Sequence, residues 1–560
     1  MDKIRIDISN TENPLRNFYQ RHQKIDFAEK SSIIDEDITN FLKISKVKRG
    51  FLNQEEANDL VIKIYQFLYE KLIIELSKYD ISVFYHAYKQ LELIMAEKIG
   101  FYQNYISLSK IASQESLNPD IHKIKIGSNR WEPPIRLLIS IILQQGIKGS
   151  RVFDGENWSY IFCLCVKLIN SSSISDNMYY RTENFTFHID NTYKLSYNNS
   201  NLYDYENYSK SLANKTFNYH KEESELKSEV NNDKTVLEKH QLPSSIEEVN
   251  NALLKEYGFS YGNFIMVLVV LGKMMYNKVK VINLDALRES EIFPLFKISK
   301  EILIKNLAQL WKAIEESELR NIINFLSIGF NTYNDIAEQI IPSKLHKNYK
   351  RLPYFPLISI KDEIIYGNEI CLESSRLWVS KIMQGVFPLR IKDNSELKKA
   401  LNLLHSEKDN LFEDICEEIA NNTLGKRYVE KGIDNFHRIS KALPKKPECG
   451  EIDLLAVNPN TNKIFVLDAK NDAFKYSSSD IKNQDKRYFG ENSYYEHLMK
   501  KVEFIKDNLN FILEHFSIEE SDEITIKKGF IIKETIQHAH KKGTDVDFIL
   551  KKDLGKYLLE

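Results

Sequence analysis

The sequence predicts an α+β multidomain protein, with a mainly α-helical N-terminal region followed by a C-terminal α/β domain. Three observations carry this. Apolar residues recur at helical spacing over Glu55 to Ser77 and Val83 to Ala112. Two short apolar runs, Ile452 to Val457 and Ile464 to Ala469, flank the turn-forming cluster NPNTN, the punctuation between antiparallel strands. A chain of 560 residues, 42% of them hydrophobic, has material for several buried cores, roughly two to four domains.

Taken in order, residues 1–175 read as a helical domain of unassigned role, in which Pro133 and Pro134 suit the start of a helix running to Gln145. Residues 176–242 read as a polar insertion or connector. Asn, Ser and Tyr crowd SSSISDNMYY, where the change of character begins at about residue 171, and SYNNSNLYDYENYSKS, while charge dominates HKEESELKSE. The alternation from Asn184 to Asp190 is compatible with a strand. Residues 243–395 return to helix: Ser244 and Ser245 offer a cap, Phe264 to Met275 is strongly apolar, and a helical pattern runs through Ile302 to Ile328. A small hairpin is expected over Leu357 to Ile365 around Lys361-Asp362, then a helix from Glu373 to Met383.

Residues 396–560 form the C-terminal domain. Leu411 to Asn421, LFEDICEEIAN, sets Leu411, Ile415 and Ile419 on one helical face. After the central hairpin, Ser479 or Asp480 can open a helix, and Tyr494 to Phe516 reads as another. Ile524 to Ile532 and Val546 to Leu550 are strand-like, and Lys552 to Leu559 closes the domain.

The net charge of −2 excludes the global basic field of histone-like binders, so any nucleic-acid contact must be local. Lys426 to Lys446, with Arg427, Lys431, Arg438, Lys441 and Lys445, is either such a patch or a solvated loop. MDKIRIDISN lacks an apolar signal core, and the longest apolar runs, such as Phe264 to Leu271, are too short to span a bilayer. Five scattered cysteines fit a reducing cytoplasm. Cys163-Leu-Cys165 and His538-Ala-His540 lack ligand spacing and read as core. No G-x-x-x-x-G-K-[ST] loop occurs, so the chain carries no P-loop motor.

Chemistry concentrates in GEIDLLAVNPNTNKIFVLDAKN, Gly450 to Asn471. A four-residue loop at Pro459 to Asn462 would pair Asn458 with Lys463, placing Asp453 opposite Asp468 and Glu451 opposite Lys470. Alternation along each strand then points Glu451, Asp453, Asp468 and Lys470 to one side, and a slip of one residue would separate them. Two carboxylates on an apolar hairpin are costly to bury unless their charge is offset, as a divalent cation would do. Magnesium suits one or two carboxylates plus waters and a substrate phosphate. A lysine beside it can orient or deprotonate the attacking water.

These residues resemble the PD-(D/E)xK (restriction-endonuclease-like) nucleases, through Asp453 in GEID and the triplet Asp468-Ala469-Lys470. The family usually places a glutamate on the helix before the hairpin; Glu413 matches, with Glu417 one turn later as substitute, while a capping role for Glu413 stays open because Asn410 lies three residues before it. Gln484 and Tyr488 in QDKRY are similar to the Q-x-x-x-Y element of the RecB-like branch. Lys482, Lys486 and Arg487 of that helix would meet phosphates or simply face solvent. The resemblance covers about the last 160 residues and implies a central mixed sheet flanked by helices.

It further implies a phosphodiester hydrolase using Mg2+ or Mn2+ held by Asp453, Asp468, the Ala469 carbonyl and Glu413, with Lys470 positioning water for in-line attack that leaves 5′-phosphate ends. DNA is the expected partner ahead of RNA, and the N-terminal region would select substrate, dimerise, dock a partner protein or restrain the nuclease until triggered. Bacterial restriction or antiphage defence is the role suggested by architecture. The alternatives are a catalytically silent nucleic-acid-binding or scaffold protein on the same fold, or an RNA-cleaving toxin.

Overall fold

A computed structural model of the chain describes residues 27–109, 132–146, 148–180, 185–199, 244–273, 280–282, 295–330, 350–472, 478–518, 524–540 and 545–560. The chain divides into two compact units, residues 1–200 with 213–402, and residues 201–212 with 403–560. Both helices and mixed sheets are present, as an α+β chain requires. No helix among the described residues is long and apolar enough to cross a membrane.

In the first unit the expected helices form at Gln54–Leu76 and Ser82–Ser109, with a further helix over 132–145. Asn53 caps the first of these in a reciprocal box with Glu56. The polar run SSSISDNMYY does not break structure but completes the helix Trp158–Tyr180. Two of its serines find partners: Ser171 Oγ donates to the Lys167 carbonyl one turn back at 2.9 Å, and Ser175 Oγ to Asn58 Oδ1 of the helix Gln54–Leu76 at 2.8 Å. The alternation near Asn184 is a strand, Phe185–Ile189, in a three-stranded antiparallel sheet with Gly50–Leu52 and Leu195–Asn199. The tracts expected to be a polar connector over 200–243 lie outside the described residues.

Residues 243–395 hold more strand than the sequence indicated. The hairpin Leu357–Ile360 and Glu363–Gly367 forms, with Lys361 in the left-handed region at its turn. It is the middle of a five-stranded sheet that also takes in Lys280–Ile282, Leu295–Ser299 and Ser327–Gly329. The helical run expected through Ile328 is two helices, Lys300–Leu310 and Glu316–Leu326, ending in that last strand. Fully buried Glu92 reaches the start of the helix Asn368–Ile382, accepting from the amides of Glu369 at 2.7 Å and Ile370 at 3.0 Å. Those are orphan donors of a helix N-terminus, and the acid satisfies two of them.

The second unit is numbered here on its own. Its elements are α1 (Glu396–Leu424, which begins in the first unit), β1 (Val429–Ile433), β2 (Ile452–Asn458), β3 (Lys463–Lys470), α2 (Ser478–Phe489), α3 (Tyr494–Asp507), α4 (Leu509–Phe516), β4 (Thr525–Ile532), β5 (Asp547–Leu550) and α5 (Leu554–Leu559). The helix expected over Tyr494 to Phe516 is interrupted at Asn508, giving α3 and α4.

The sheet order is β5-β4-β3-β2-β1. β1, β2 and β3 are antiparallel, whereas β3, β4 and β5 are parallel, so the sheet is mixed. β3 lies at its centre, which explains why the hairpin is apolar on both faces. Leu455, Val457, Ile464 and Val466 pack with residues of α2, α3 and α4. Leu454, Ala456, Phe465 and Leu467 pack with Phe412, Cys416 and Ala420 of α1 and with Leu554 and Leu558 of α5. The sheet is thus covered by helices on both sides.

Candidate active site

The hairpin register is the one the turn chemistry specifies. Asn458 pairs with Lys463 and Leu454 with Leu467. One step further along the same register, Asp453 stands opposite Asp468. The loop of four is closed by Asn458, whose Oδ1 accepts from the Asn460 amide at 3.0 Å, with Asn462 in the left-handed region.

Where the backbone ladder ends, a side chain takes over: the Ala469 amide donates to Asp453 Oδ2 at 2.8 Å. That bond fixes the Asp453 carboxylate beside the next two residues of β3. Lys470 Nζ lies 3.3 Å from Asp453 Oδ2 and 3.4 Å from Asp468 Oδ2, and 5.0 Å from the centre of the Tyr494 ring. The ring face offers the ammonium a cation–π contact besides its two acids.

A residue absent from the sequence reading completes the arrangement. Lys501 of α3 places its Nζ 2.6 Å from Asp468 Oδ1 and 3.8 Å from Asp453 Oδ1. The four charges alternate around a ring, and it is nearly closed to solvent. Side-chain exposure is 3% for Asp468, 8% for Lys501, 15% for Asp453 and 18% for Lys470. The signal for Lys501 was present: it falls on the buried stripe Leu498, Lys501, Val502, Ile505, a lysine at an apolar-face position.

Electrostatics follow from this packing. Burial, then the Asp468 charge, raises the Asp453 pKa, against the pull of Lys470 and Lys501 and of the Ala469 amide. Burial disfavours the Lys470 ammonium, but Asp468 and Asp453 together outweigh it and raise its pKa above the ordinary lysine value. The paired acids therefore favour the charged, donor form of Lys470.

The other expected site residues are placed less uniformly. Glu413 sits half-buried on α1, the helix that covers the opposite face from α3. Burial and the charge of Asp453 push its pKa up to about 7, so it feels the site. Among the described residues, though, no group of three or more His, Cys, Asp or Glu side chains is assembled to hold a metal ion. Glu417 is half-buried one turn on, and Glu451 is exposed just ahead of β2. Ala469 is half-buried in β3.

Gln484 and Tyr488 share one face of α2, as their spacing requires, and that face points inward. Gln484 is 3% exposed and Tyr488 is fully buried against Tyr494, Phe530 and Phe548. Burial first, and then Asp472, raises the Tyr488 pKa well above the usual value, although among the described residues no acceptor closes a hydrogen bond on its hydroxyl. Asp472, just past β3, also accepts from Gln484 Nε2 at 3.5 Å and lies 3.4 Å from Arg487 Nη2. It ties α2 to the end of the strand that carries Asp468 and Lys470. Lys486 is exposed and Lys482 half-buried on the same helix.

In the basic segment, Lys431 pairs with Asp414 and Arg438 with Glu430 at 2.9 Å, while Arg427, Lys441 and Lys445 are exposed. Cys163, Cys165 and His538 are buried, the histidine stacked on Phe489 at 3.8 Å. All five cysteines are free thiols.

The two carboxylates converge: the Lys501 ammonium lies within 3.8 Å of an oxygen of each, and paired carboxylates are oxygen donors of the class hard cations take. Comparison with protein-family models, curated proteins and solved structures gave no match.

Proposed function

We propose that residues 403–560 form a restriction-endonuclease-like domain that hydrolyses phosphodiester bonds in nucleic acid, DNA before RNA, with a divalent metal ion. The observation that carries the reading is the meeting of Asp453, Asp468 and Lys470 at one end of the central hairpin. Asp453 and Asp468 would hold Mg2+ or Mn2+, with the Ala469 carbonyl and Glu413 as further donors. The metal, when bound, would supply Lewis-acid stabilisation of charge on the phosphate and a more acidic water.

The chain's own contributions follow from its contacts. The Ala469 amide holds Asp453 in its rotamer, and Tyr494 steadies the Lys470 head. A charged Lys470 orients water and donates toward developing negative charge on phosphate oxygens. Asp472 fixes α2 against the strand end, so exposed Lys486 and Arg487 stand on a helix anchored beside the acids, where a substrate backbone would pass.

A second reading, a silent scaffold or nucleic-acid-binding domain, is favoured by one feature: both carboxylates are already neutralised by lysines. Cleavage of plasmid and single-stranded DNA, then RNA, by wild type and by Asp453→Ala and Lys470→Ala separates the two. Metal-dependent cutting lost in both variants supports the nuclease. Nucleic-acid binding that survives in both, with no cutting by wild type on any substrate, supports the scaffold.

A further inference from the structure

We propose that Lys501 is the resident counter-ion of this site: its ammonium occupies the place between Asp453 and Asp468 until a divalent cation displaces it, and so sets metal affinity. The inference rests on the metal-dependent reading above. Two nearly buried carboxylates need a positive partner during folding, when no metal is guaranteed, and leaving them unpaired is costly. Lys501 provides that partner from within the apolar stripe of α3.

Two cations cannot share one position. With Nζ 2.6 Å from Asp468 and 3.8 Å from Asp453, the ammonium sits between the two carboxylates that would hold a metal ion. Lys470 is the less able to yield. It sits on the same strand as Asp468, touches both Oδ2 atoms and rests on the Tyr494 ring. Lys501 belongs to a separate helix, and its four-carbon stem lets the head withdraw while the backbone stays packed. Lys501 is a positioning residue in this scheme, keeping the acids convergent and ready while the metal is away.

The test measures Mn2+ binding by titration calorimetry and thermal unfolding in chelator or Mn2+, on the full chain, for wild type, Lys501→Met, Lys501→Arg and Asp453→Ala. Removing the competing charge should tighten Mn2+ binding by Lys501→Met on the order of tenfold or more, while Lys501→Arg stays near wild type. Lys501→Met should also melt below wild type in chelator and recover with Mn2+. If the methionine variant does not fold, Lys501→Gln makes the same comparison. Mn2+ binding by wild type that is unchanged or weaker in the neutral variant overturns the proposal and leaves the nuclease reading standing. Absence of Mn2+ binding in both wild type and the neutral variant overturns both.

Discussion

Asp453 and Asp468 each turn one carboxylate oxygen to Lys470 and the other to Lys501. Each acid therefore serves both lysines, and removing any one charge leaves two neighbours underpaired. Asp468→Ala, at the least exposed corner, should destabilise the second unit by about 3–5 kcal/mol in chelator, as expected for one partner lost from a buried pair. Denaturant unfolding measures it. The double variant Asp468→Ala with Lys501→Met should lose clearly less than the sum of the singles, and strict additivity would show that the ring does not act as a unit.

Tyr488 gives a sharper contrast between fold and chemistry. Its ring is core and, among the described residues, its hydroxyl has no hydrogen-bond partner. Tyr488→Phe should leave stability within about 0.5 kcal/mol of wild type or raise it, because a buried unsatisfied group is removed. Tyr488→Ala should cost about 3–5 kcal/mol. If the phenylalanine variant keeps stability and loses cleavage, the hydroxyl belongs to the reaction.

Asp472 is expected to act on local order. Asp472→Ala removes the partner of Gln484 and Arg487, a loss of about 1–2 kcal/mol, so amide hydrogen exchange in Ser478–Phe489 should speed up while β2 and β3 stay protected. Uniform exchange across the unit would contradict the anchoring role.

Glu92 supplies a pH test in the first unit. Burial, opposed by the Glu369 and Ile370 amides, raises its pKa to about 8 from an ordinary value of 4.5. Between those values the native state keeps a proton that the unfolded state releases. Stability therefore falls as pH rises through this window, by at most about 1.4 kcal/mol per unit from this group. Wild type should lose ground against Glu92→Gln from about pH 5 to about pH 8 in denaturant titrations, and a flat difference would disprove the linkage.

Much of the second unit was legible because its signals are local. The NPNTN turn and the period of two fixed the register that brings Asp453 to Asp468. Lys501 was not legible, since its partners lie on another element, 33 positions away in the case of Asp468. Periodicity marked only that it sat among apolar residues. The helix that carries Glu413 was legible from its apolar stripe, but which layer that helix covers depends on the sheet's topology. The five-stranded sheet of the first unit escaped because strands as short as Ser327–Gly329 leave no period to count. For Gln484 and Tyr488 the shared face was readable, and whether it turned inward was not.

The hairpin that bears the acids also offers a place to watch them from a distance. Its turn holds exposed Thr461, and Asn458 lies five steps along the strand from Asp453, a span of about 17 Å at strand rise. Every native cysteine is buried. A thiol introduced by Thr461→Cys would be preferentially labelled, and a fluorophore there would report strain or ordering transmitted along the rigid strand pair while leaving the charged ring untouched.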